Sequence, residues 1–76
     1  MMTLSFHPVT LDQNYGDAEG MLVYHSDRLM AVLARLGSLH DNLAGCWFIE
    51  ASFSPRMIHT PATFQSLADF EAWVGI

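Results

Sequence analysis

"RLMAVLARL", Arg28 to Leu36, is the stretch on which the fold turns. Leu29, Val32, Leu33 and Leu36 stand at i, i+3, i+4 and i+7, the spacing of one helix stripe. Ser26 or Asp27 is a possible cap, and Gly37 a stop. Leucine, methionine, alanine and arginine also prefer helix. The run is nevertheless short and apolar on every side, which suits a central strand covered on both faces. The segment alone leaves both readings open.

Its neighbours favour a strand. "GMLVYH" before it predicts a strand from Met21 to His25, with Ser26-Asp27 as the turn. "GCWFIEASF", residues 45 to 53, reads as a third strand after the loop "GSLHDNLAG". A hairpin centred on Ser26-Asp27 sets Val23 opposite Met30 and Met21 opposite Val32. The next hairpin then sets Arg35 near Cys46 and Leu33 near Phe48. Side chains alternate along a strand, so one expected face gathers Met21, Val23, Met30, Val32, Ala34, Leu36, Trp47, Ile49, Ala51 and Phe53. The other gathers Leu22, Tyr24, Leu29, Ala31, Leu33, Arg35, Cys46, Phe48, Glu50 and Ser52.

"SLADFEAWV" is a helix. Ser66 is the expected N-cap, with Asp69 three residues on and near the positive end of the helix dipole. Leu67, Phe70 and Val74 form a stripe widened by Trp73, and Gly75 ends it. A helix this short does not stand alone in water, so it packs on the face with Trp47 and Phe53. Pro55 and Pro61 bracket the connection that carries the chain across. Residues 1 to 19 are the least regular: Met2 to Phe6 reads as a short strand, broken by Pro8 and "DQNYGDAEG". The expected class is therefore α+β, one domain over residues 1–76. An antiparallel meander of three strands carries one C-terminal helix on one face, with the N-terminus as a candidate fourth, edge strand.

"EGMLV", "RLMAVLARL", "LAGCWFIEASF" and "TFQSLADFEAWV" together resemble a group of short uncharacterised bacterial proteins. Their segments run E-G-x-L-V, D-G-R-L-V-A-V-L, G-x-W-F-x-E-A-x-F and T-F-x-S-L-x-x-x-x-x-W. The resemblance covers roughly residues 17 to 74. It implies a hairpin and a strand where the pattern has glycine and valine, and no activity. Here the turn lacks that glycine, so its type stays open.

Composition bounds the function. The chain has 76 residues, 51% hydrophobic and 14% charged, with net charge −5. A domain of this size buries only about 60% of its unfolded surface and usually needs disulfides, metal, tight packing or a partner chain. Cys46 is the lone cysteine, so no disulfide forms within the chain; with no secretory signal read, a reducing cytoplasm is the expected location. Arg28, Arg35 and Arg56 are dispersed and lysine is absent, which argues against nucleic acid and anionic membranes as partners. The longest apolar run falls far short of the about 20 residues a membrane span needs.

No reactive motif stands out, and no cofactor is expected. His7, His25, His40, His59 and Cys46 have no zinc-like spacing; solvated turn histidines are the plain reading. Asp12 to Glu19 imitates the start of a calcium loop, but its glycine comes one residue early and Glu19 misses the bidentate position. Cys46 has His40 nearby in sequence and Glu50 four residues on, about 13 Å along a strand at about 3.3 Å per residue, too far for direct activation. Ser52, His59 and Asp69 lack the context of a triad. Glu50 is the one carboxylate in mid-strand, with Arg35 as its expected ion-pair partner.

The informative feature is the second sheet face, since one helix covers only one side. The candidate interface is Leu22, Tyr24, Leu29, Leu33, Arg35, Phe48 and Glu50. Apolar patches of this kind mark contacts. Two coverings are expected: the N-terminal "LSFHPVTL" as a plug through Leu4, Phe6 and Val9, or a protein partner, first of all a second copy in a homodimer. The leading function is a non-enzymatic interaction module. The alternatives are a small enzyme or ligand-binding protein at a dimer seam, using Cys46, Glu50 and His40, and a regulator or inhibitor of one specific protein.

Overall fold

The computed structural model describes residues 4–12, 19–37, 42–54, 61 and 63–75. Strands β1 (Leu4–Thr10), β2 (Glu19–His25), β3 (Arg28–Arg35) and β4 (Trp47–Ser52) precede helix α1 (Leu67–Val74). The strands form one antiparallel sheet in the order β1-β2-β3-β4. The architecture is α+β, with the N-terminal strand present. Leu29 to Arg35 belong to strand β3 and not to a helix, and Leu36 follows the strand. With a neighbour on each side, β3 is interior, and Met30, Ala31, Leu33 and Ala34 are all buried. An interior strand that is largely buried reads as a near-continuous apolar run, and that run happens to contain a helix-like stripe.

Two bulges correct the expected faces. The β2–β3 hairpin begins as predicted, with His25 opposite Arg28 and Tyr24 opposite Leu29. Met30 is then an extra residue, so Val23 pairs with Ala31 and Met21 with Leu33. Because the side-chain period is two, one inserted residue moves the rest of the strand to the opposite face. Ala31, Leu33 and Arg35 join Val23 and Met21, while Val32 and Ala34 join Leu22 and Gly20. The second bulge is Glu50, between Leu33–Ile49 and Val32–Ala51. Trp47 and Ile49 keep the expected core side. Ala51 moves to the other, and Phe53 is 64% exposed instead of buried under the helix.

The core lies between the sheet and α1. Ser66 caps the helix, its hydroxyl accepting from the Asp69 N–H at 3.1 Å, and Gly75 closes it at φ 84°. Phe70 is fully buried among Val23, Met30, Ala31, Leu33, Trp47 and Phe64. Its ring meets Phe6 edge-on at 6.5 Å and Phe64 at 5.3 Å, so a strand from one sheet edge and a segment beside the other converge on it. Phe64 reaches that place by a two-bond bridge: the Trp47 and Phe64 N–H groups each donate to the other's carbonyl at 2.7 Å. Leu67, Trp73 and Val74 complete the helix stripe against the core.

β1 continues through Pro8 to Thr10, beyond the predicted break. Among the described residues β2 is its one neighbour in the sheet, and an edge strand tolerates the missing proline N–H. Being in the plane of the sheet, it is not a plug over the second face. Of the expected plug residues, Leu4 and Phe6 pack on the helix side, while Val9 lies with the second face, paired with Gly20.

Candidate functional site

The ladders place three rows of side chains on the face away from the helix. Ser5, Tyr24 and Leu29 form one row. His7, Leu22, Val32 and Ala51 form the next, and Val9, Gly20, Ala34 and Phe48 the third. None of these residues carries a carboxylate, guanidinium or ammonium group, in a chain of net charge −5. Leu22, Tyr24, Val32, Phe48 and Ala51 are half-buried by one another, and Leu29 is exposed. Ala34, at the centre of the third row, is fully buried.

Part of the cover is built in at the end of β1. A Cβ on Gly20 would stand 2.8 Å from Leu11 Cγ and 3.1 Å from Val9 Cγ2. Such approaches are closer than packed carbon atoms sit. Glycine at 20 therefore lets Leu11 and Val9 lie over the backbone on this face. A glycine inside a strand pattern is the sequence signal for such a close approach.

At the opposite end the His7 and Tyr24 rings meet edge-on at 5.2 Å. They line an open depression of about 290 Å³ with Leu22, Ser26 and Asp27. The turn below it contains Ser26 at φ 58°, a positive value for a non-glycine residue. Asp27 is not in that region, so the positive φ falls at the first of the two turn residues.

The predicted site residues thus separate into three groups. Leu22, Tyr24, Leu29 and Phe48 share the open face as expected. Leu33 does not; it is fully buried in the helix-side core. Arg35 is also on the helix side, opposite Trp47, with its guanidinium 5.9 Å from the indole centroid. Its Nε donates to the Gly45 carbonyl at 3.3 Å and its Nη1 pairs with Glu19 at 3.2 Å. Glu50, the expected partner of Arg35, is instead the exposed bulge residue of β4. Val32, Ala34 and Ala51 are the face residues that the regular register put on the other side, and Ser5 and His7 join them from β1.

Cys46 is half-buried just before β4. Its carbonyl accepts the Leu36 N–H at 2.8 Å and its N–H donates to the Leu43 carbonyl at 3.0 Å. His40 and His59 lie outside the described residues, as does most of the calcium-like stretch, residues 13 to 18. Among the described residues no group of three or more His, Cys, Asp or Glu is placed to hold a metal ion, and no helix is long and apolar enough to cross a membrane.

No family model matches the chain, and no match is found among characterised proteins or among solved structures.

Proposed function

We propose that the protein is a small non-enzymatic interaction module that self-associates, as a two-fold dimer, through the open sheet face. The observation that carries this reading is the face itself: three rows of residues without a formal charge, all but Gly20 and Ala34 at least partly exposed, on the side the helix does not cover. A large apolar surface in water is costly at about 25 cal/mol per Å², and sheet-on-sheet packing is a standard way to bury one. A second copy brings three rows equally free of formal charge, with Asp27 standing at the turn end of the face. As part of the same proposal, the chain acts in the reducing cytoplasm, consistent with its lone cysteine, and belongs with the short bacterial proteins its motifs resemble.

The test is solution mass by light scattering over a concentration series, for the natural chain and for Phe48→Asp. The natural chain is expected at twice 8.5 kDa. Phe48→Asp is expected at the monomer mass with an unchanged far-UV circular dichroism spectrum, because Phe48 lies outside the helix-side core. A natural chain that stays monomeric throughout the series would overturn the proposal, as would a folded Phe48→Asp that still dimerises.

A further inference from the structure

We draw no further inference here: the strongest candidate, the depression at the turn end of the open sheet face where the His7 and Tyr24 rings meet, belongs to the face already described, and nothing in the structure shows what covers it.

Discussion

Val23 stands across the ladder from Ala31, one residue beyond the Met30 that a regular hairpin would place there. That single offset puts Leu33 under the helix and Val32 on the open face. It also turns Arg35 to the helix side, where the β3–β4 ladder, one residue off the expected Arg35–Cys46 pairing, sets it opposite Trp47 and away from Glu50.

The register is tested by truncating leucines of opposite face. Leu33→Ala removes a fully buried side chain and is expected to cost about 2–5 kcal/mol. Leu22→Ala, at a half-buried position, is expected to cost less than half as much. Urea unfolding of both variants in the monomeric Phe48→Asp background measures the difference without the contribution of the proposed dimer contact. Equal losses would mean that Leu33 does not face the core.

Gly20 gives a prediction with a definite sign. In an uncrowded strand, alanine for glycine stabilises by roughly 0.5–1 kcal/mol. Here the new methyl meets Leu11 and Val9, and overpacking typically costs about 1–3 kcal/mol. Gly20→Ala is therefore expected to destabilise, and Leu11→Ala in the same chain to recover part of the loss. A double-mutant cycle by thermal unfolding reads the coupling. A stabilising Gly20→Ala would contradict the close approach.

The turn has its strain at Ser26, φ 58°. The left-handed region costs a non-glycine residue about 1–2 kcal/mol. Ser26→Gly should relieve part of that and raise the denaturation midpoint. Asp27→Gly, which restores the glycine of the resembling pattern, meets no positive φ and should lower stability through the added freedom of the unfolded chain. The reverse ranking would place the left-handed residue at Asp27.

Arg35 and Glu19 make an exposed ion pair, with side chains 46% and 56% accessible. Glu19→Gln is expected to change stability by at most about 1 kcal/mol, an effect that fades as salt is added. Arg35→Ala should cost more, and largely independently of salt, because the guanidinium also lies beside Trp47 and binds the Gly45 carbonyl. Unfolding in low and high salt separates the two contributions.

Much of this fold is legible in the residues because the relevant signals are local. Ser66, Asp69 and Gly75 mark the helix ends through side-chain and backbone bonds that span only a few positions. Ser26-Asp27 marks the hairpin, and the apolar alternation of β2 marks its two faces. The open face is legible in part: Leu22, Tyr24, Leu29 and Phe48 lie before the bulges act or outside their reach. Leu33, Arg35 and Glu50 lie where a bulge resets the alternation. No local propensity of Met30 or Glu50 announces an extra residue.

The residues alone were enough for the C-terminal helix and its caps, the position of the β2–β3 hairpin and the need to bury an apolar sheet, while they left Leu29 to Leu36 open between strand and helix. These follow from backbone capping, turn chemistry and the hydrophobic pattern, each acting within a few residues. Only the tertiary structure decided which face each residue of β3 serves and that Pro8 sits within an edge strand. It also decided that Phe64 reaches Phe70 by bridging to Trp47. Those outcomes depend on how separate strands fit under one short helix. Burying Leu33 and Phe70 together is a property of the assembled core and of no single segment.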